Sequence, residues 1–185
     1  RLLSYIRDII QGLDYLHHVA GIAHMDLKPE NLLKSGDGTV KIADFGVSFI
    51  GKANTKNSNK RIVGTPAFIA PEMLGEDGYD PFAADIWSLG VCIFHMATAR
   101  LPFTGRTIFQ IIAMAKRQGL QFPEKPDLSA ELRDLLTIVL KTEPEERASL
   151  EDVMTHAWTT KNGSDPLPPS LKQSAKLTVT EEEIA

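Results

Sequence analysis

Between Ala83 and Thr98 the chain carries Ile86, Trp87, Leu89, Val91, Ile93, Phe94 and Met96, so apolar side chains fall on most faces of a helix drawn through it. A helix that is apolar all round has no face to offer water, so it must be the element about which others pack. With 185 residues the chain is long enough to bury it in one core. Amphipathic segments are available to surround it. Leu2, Leu3, Ile6, Ile9, Ile10, Leu13 and Leu16 recur at helical spacing with Arg7, Asp8, Gln11 and Asp14 between them, which predicts a helix ending near His17-His18 and Gly21. Shorter patterns over 108–115, 129–140 and 150–156 predict three more helices, with Ser129 and Ser149 as N-caps. Pro102, Pro123, Pro126 and Pro144 punctuate the connections.

One segment breaks the helical pattern. Two short strand-like runs, Leu32-Leu33-Lys34 and Val40-Lys41-Ile42, flank a turn rich in Gly and Asp and predict a hairpin. The fold class expected is therefore mainly α with a small β hairpin. In an antiparallel hairpin the outer strand ends lie side by side, which brings Asn31 and Asp44 together. An amide oxygen and a carboxylate are hard donors, suited to a Mg²⁺ ion that completes its shell with water and substrate phosphates. Asp26 lies on the same loop as Asn31, where it could accept the proton of an attacking hydroxyl. Lys28 is placed to hold a transferring phosphate as a compact cation. Phosphoryl transfer asks mostly for positioning and charge neutralisation. Either Asp alone would pass as a turn or cap residue. Together, at this spacing, they read as chemistry.

The balance of 20 Lys and Arg against 24 Asp and Glu gives a net charge of −4, which offers a nucleic-acid partner no electrostatic footing. No apolar stretch is both long and charge-free enough to span a bilayer, and no signal peptide opens the chain. The single cysteine, Cys92, lies in the apolar helical run and reads as a small core residue. These features fit a cytoplasmic location, with the nucleus open as well.

His24-Met25-Asp26-Leu27-Lys28-Pro29-Glu30-Asn31, followed by Asp44-Phe45-Gly46, resembles the catalytic and metal-binding loops of eukaryotic protein kinases. Gly64-Thr65-Pro66-Ala67-Phe68-Ile69-Ala70-Pro71-Glu72 resembles the substrate-docking loop that closes the activation segment. Asp85-Ile86-Trp87-Ser88-Leu89-Gly90 looks like the start of the family's central buried helix. The resemblance implies the C-terminal lobe of the kinase fold over residues 1–160, with 161–185 an extended tail lying on or leaving the domain. It implies an ATP- and Mg²⁺-dependent transfer to serine or threonine of a protein substrate. In it Asp26 is the base, Lys28 the phosphate contact, Asn31 and Asp44 the metal ligands, and Thr65 a support for the Asp26–Lys28 geometry. Asp85 would hold the catalytic loop's backbone, and Arg147 would pair with Glu72. Glu30 would contact a basic substrate side chain or stay a solvated charge. Leu33 would serve both as β core and as part of the floor beneath adenine.

Ile42 to Ser48, Gly64 to Phe68, Trp158 to Gly163, Pro166-Leu167-Pro168 and Val179 to Glu183 are similar to calcium/calmodulin-dependent protein kinase kinases. Those enzymes phosphorylate the activation-loop threonine of other kinases, and their calmodulin-binding helix would lie beyond this chain. One departure stands out: Met25 occupies the position where the family usually carries Arg. A thioether cannot bind a phosphorylated loop as a guanidinium fork does, so activity is expected not to depend on phosphorylation of Thr55 or Ser58. Lys52, Lys56, Lys60 and Arg61 remain to neutralise such a charge.

The chain begins within a helical pattern at Arg1 and is read as a fragment. Without the family's Gly-rich loop and strand Lys it is not expected to bind ATP tightly or transfer phosphate efficiently. A rival reading is a non-catalytic kinase-like module that docks proteins through the 105–119 helix and the acidic tail. His95, in the apolar helix, reads as a hydrogen-bonded core residue rather than a ligand.

Overall fold

A computed structural model describes residues 1–51 and 62–174. Lys52, Thr55, Lys56, Ser58, Lys60, Arg61 and the acidic end at Glu181-Glu182-Glu183 lie outside the described residues. The chain is mainly helical, as expected. Helix α1 (Leu2–Tyr15) is followed by strands β1 (Ile22–Ala23), β2 (Leu32–Lys34), β3 (Val40–Ile42) and β4 (Phe49–Ile50). Helices α2 (Pro81–Thr98), α3 (Ile108–Gln118), α4 (Ala130–Val139), α5 (Leu150–Thr155) and the short α6 (Leu171–Ser174) complete it.

Helix α2 forms the centre. Pro81 opens it at a position where a missing N–H costs nothing, and Asp80 Oδ1 caps it by accepting the Phe82 N–H at 3.0 Å. Ile86, Trp87, Leu89, Val91, Ile93 and Phe94 are all buried, whereas Met96, near its end, is only partly so. Trp87 stacks on Phe103 with ring centroids 5.5 Å apart. Helix α4 crosses so closely at Gly90 that a Cβ there would stand 2.6 Å from Val139 Cγ1. Ser129 and Ser149 do cap α4 and α5, and at α5 the Asp152 carboxylate reaches back to complete a capping box.

The end of α1 departs from the simple helix read in the sequence. Its last turn widens into a π-helical turn, Leu16–Ala20, closed by Gly21 at φ 65°. An extra residue per turn shifts the phase of the side chains that follow. As a result His17 reaches Asp85, while its neighbour His18 reaches back to Asp14.

The hairpin pairs Leu32 with Ile42, Leu33 with Lys41 and Lys34 with Val40. Asp37 organises its turn, accepting the Thr39 N–H at 3.0 Å and the Ser35 hydroxyl, and these bonds draw its carboxyl down to about 2. Asp8 of α1 accepts the Val40 N–H at 3.0 Å and fixes the hairpin to the helix. A second ladder, β1 with β4, pairs Ile22 with Ile50 and Ala23 with Phe49. Two-residue strands carry no periodic signal, and this ladder was not anticipated.

The segment after α5 lies on the domain as far as Lys172, and Leu171–Ser174 within it is the short helix α6 where an extended course was expected. Arg7 of α1 donates to the carbonyls of Thr159 and Asp165 and to Asp165 Oδ1, at 3.2, 2.7 and 3.1 Å. Among the described residues no helix is long and apolar enough to cross a membrane.

Candidate active site

The site begins with Asp85, wholly buried in the first turns of α2. Its Oδ2 accepts the His24 N–H at 2.7 Å and the His17 Nε2–H at 2.9 Å, and its Oδ1 accepts the Met25 N–H at 2.8 Å. One carboxylate thus fixes two consecutive amides of the loop from β1 to β2. Met25 sits at φ 69°, a left-handed conformation that costs a side-chain-bearing residue of order 1–3 kcal/mol. The Asp85 bond and a buried thioether hold it there.

The kink delivers Asp26 to Lys28 and Thr65. Lys28 Nζ donates to Asp26 Oδ2 at 2.6 Å and to Thr65 Oγ1 at 2.8 Å, while the Thr65 hydroxyl donates to Asp26 Oδ1 at 2.8 Å. The three close a triangle of charge-assisted bonds. Burial pushes the Asp26 carboxyl up, but the hydrogen bonds from Lys28 and Thr65 and the Lys28 charge outweigh it and hold the group below the ordinary aspartate range. Asn31 joins them, its Nδ2 donating to the Asp26 carbonyl at 2.8 Å and, more weakly, to Asp26 Oδ2 at 3.4 Å. That use of the amide nitrogen leaves the Asn31 side-chain oxygen, Oδ1, as an available acceptor, distinct from its backbone carbonyl.

Thr65 arrives from a distant part of the chain because Gly64, at φ 98°, passes against the loop. A Cβ at Gly64 would lie 2.6 Å from the Met25 carbonyl oxygen. The segment is held from beneath by Ser88 of α2, whose hydroxyl donates to the Phe68 carbonyl at 2.8 Å.

Asp44 lies one peptide beyond a doubly tied residue. The Ala43 N–H donates to the Asn31 carbonyl at 2.9 Å, and the Ala43 carbonyl accepts His24 Nε2–H at 2.9 Å. Asp44 itself is exposed at φ 66°, its Oδ1 accepting the Gly46 N–H at 3.3 Å. Asp26, Lys28, Asn31 and Thr65 are therefore bonded to one another, and Asp44 is attached through the hairpin. Two hard oxygen donors at the open end of that hairpin fit Mg²⁺, which needs few protein ligands when phosphate oxygens supply the rest.

Glu30 is exposed and takes no part in these bonds. Leu33 is 57 % exposed, so the expectation that it belongs to the β core fails. The two-stranded ladder packs one face only, and the partly buried Leu32 takes it. His24 was not assigned a role from sequence, yet its ring links Ala43 and the Asp26 N–H. The available signal was its position as the one polar residue in the otherwise apolar Ile22 to Met25 run.

Two structural expectations are met away from the loop. Arg147 pairs with Glu72 through two bonds, and Asp85 holds the loop backbone. His95 differs from its reading, since its buried Nδ1 has no hydrogen-bond partner among the described residues.

Residues 1–159 match the protein kinase domain family. The calcium/calmodulin-dependent protein kinase kinase of Caenorhabditis elegans is 42 % identical over 98 % of this chain and 34 % of its own length. The serine/threonine-protein kinase ssp1 of Schizosaccharomyces pombe is 40 % identical over 88 % of the chain and 26 % of its own length. The calcium/calmodulin-dependent protein kinase kinase cmkC of Emericella nidulans is 34 % identical over the whole chain and 36 % of its own length. The chain spans about a third of the curated relatives it matches. With the family's motifs at these positions and a matching domain over most of its length, the chain belongs to the protein kinase family.

Proposed function

We propose that this chain is the C-terminal lobe of a serine/threonine protein kinase, with residues 161–185 an extended tail that includes the short helix α6, and that the full-length enzyme transfers the terminal phosphoryl group of ATP to a protein hydroxyl. The observation that carries the reading is the closed triangle of Asp26, Lys28 and Thr65, with Asn31 bonded to the same loop.

Among the described residues, Asp26 Oδ2 accepts from Lys28 and, weakly, from Asn31, whereas Oδ1 accepts only from Thr65 and keeps a further lone-pair site. The carboxylate can therefore orient a substrate hydroxyl and take its proton. A bond then forms from that oxygen to phosphorus as the bond to the β-phosphate oxygen breaks. Lys28 is close enough to Asp26 to neutralise charge on the moving group and to keep the base ionised. Thr65 locks both in register. Asn31 and Asp44 are the residues that would hold Mg²⁺, whose chemistry is to neutralise phosphate charge. Glu30, exposed at the loop's edge, is suited to a basic substrate side chain, and Leu33 to the underside of adenine.

The names of two relatives support a finer reading. The substrate is the activation-loop threonine of another kinase, and calmodulin acts through a segment outside this chain. The site of action proposed is the cytoplasm, extending to the nucleus. In the full-length enzyme Asp26→Asn should lower turnover by ~10²- to 10⁴-fold while sparing nucleotide affinity. Unchanged turnover would remove Asp26 from its role, and no transfer by the wild-type protein would favour a module that only docks proteins.

A further inference from the structure

We propose that Asp14 is a positioning residue through which the segment after α5 sets the catalytic loop. The inference rests on the kinase reading only for its activity readout. Asp14 is 3 % exposed on α1, and its carboxylate has no Lys or Arg partner among the described residues. Three hydrogen-bond donors satisfy it instead. His18 Nδ1–H reaches Oδ1 at 2.7 Å, the Ser170 hydroxyl reaches the same oxygen at 2.6 Å, and the Leu171 N–H reaches Oδ2 at 2.8 Å. Two of the three come from the C-terminal segment. If that segment lifts, a buried charge is left under-bonded and must find water or move.

The movement has a defined route. His18 and His17 are neighbours in the π-helical turn, and they face opposite ways: His18 holds Asp14, while His17 holds Asp85 Oδ2. That same oxygen accepts the His24 N–H. A π-helical turn is less favourable than an α-turn and persists where side chains fix it. With Asp14 released, relaxation to α spacing would rotate the following residues by about 100° and take His17 off Asp85. The strap therefore selects between two registers of one turn, and one of them supports the loop that carries Asp26. Arg7 grips the near end of the strap at Thr159 and Asp165, so the device has two anchors on α1.

The test uses the full-length enzyme and reads amide exchange at His24 and Met25 together with kcat and KM. Ser170→Glu sets a second carboxylate against Asp14. It should speed exchange at both amides and lower kcat at least about fivefold, with the peptide KM unchanged. Ser170→Thr keeps the hydroxyl and should retain wild-type values. Combined Arg7→Ala and Ser170→Ala substitution removes both side-chain anchors without adding charge, leaving Asp14 only the Leu171 N–H from the C-terminal segment, and should reproduce the loss. Wild-type exchange at His24 and Met25 in either disruptive variant overturns the proposal. Wild-type turnover measured in parallel separates the two failures: if the full-length enzyme transfers no phosphate the kinase reading fails, while the exchange comparison still decides the coupling.

Discussion

Arg147 and Glu72, 75 positions apart, meet fork to fork, Nη1 to Oε1 at 2.6 Å and Nη2 to Oε2 at 2.8 Å. The guanidinium also donates to the carbonyls of Ala83 and Lys141 and lies over the Trp87 ring, 5.2 Å from its centroid. The side chains are 1 % and 10 % exposed. Breaking such a pair by removing one partner strands the other. Glu72→Gln should destabilise the full-length protein by ~3–5 kcal/mol in urea unfolding. Arg147→Lys should lose much of this too, since an ammonium cannot make the two parallel bonds.

Thr65 gives a pH prediction. Burial raises the Asp26 carboxyl, while hydrogen bonds from Lys28 and Thr65 and the Lys28 charge reverse this and leave the folded value below the unfolded one. The stabilisation is present above the unfolded value of about 4 and is lost as pH falls through the folded one. The acid limb of kcat/KM should therefore lie below the ordinary aspartate range, and Thr65→Val should move it upward. A limb that stays put in the variant would show that the hydroxyl does not tune the base.

Gly64 and Gly90 should fail differently. At Gly90 a methyl group would meet Val139 and Leu140, so Gly90→Ala should cost ~1–3 kcal/mol of stability with the active fraction unchanged in kinetics. At Gly64 the φ of 98° and the Met25 carbonyl 2.6 Å from a Cβ forbid a side chain without moving Thr65. Gly64→Ala should depress kcat by an order of magnitude or more with thermal stability little changed. Equal behaviour of the two in unfolding and turnover would contradict this division.

Cys92 should be silent to thiol reagents. Its side chain is fully buried, and burial above all, with the nearby Glu30 and Asp26 charges, raises its pKa. Native protein should leave the thiol unmodified by an aromatic disulfide reagent, and denatured protein should release one equivalent.

Met25 predicts independence from activation-loop phosphorylation. Its side chain is buried, so nothing at this position can fork around a phosphate. Combined Thr55→Ala and Ser58→Ala substitution in the full-length enzyme should leave kcat within a few-fold of wild type. A loss of activity would show that another cation takes over.

The buried helix, the first helix, the hairpin and the Ser caps were legible because each is a local pattern: apolar periodicity, a Gly/Asp turn, a hydroxyl before a helix. The clustering of Asp26, Lys28 and Asn31 was legible because loop spacing places them within one short stretch. What escaped depends on packing. Leu33 faces water because its ladder has no second covering layer. The π-helical turn at Leu16 leaves no mark in a sequence that reads as ordinary helix. The pairing of Asp14 with Ser170 joins residues 156 positions apart, beyond the reach of any periodicity.

Asp85 and Ser88 stand three residues apart on α2, one bonded to the loop of Asp26 and the other to the segment of Thr65. A single turn of a rigid rod therefore works as a common ruler for both halves of the triangle. If that rod slides or tilts as the protein breathes, Asp26 and Thr65 travel together, and their mutual spacing survives motions that would scatter groups mounted on separate supports.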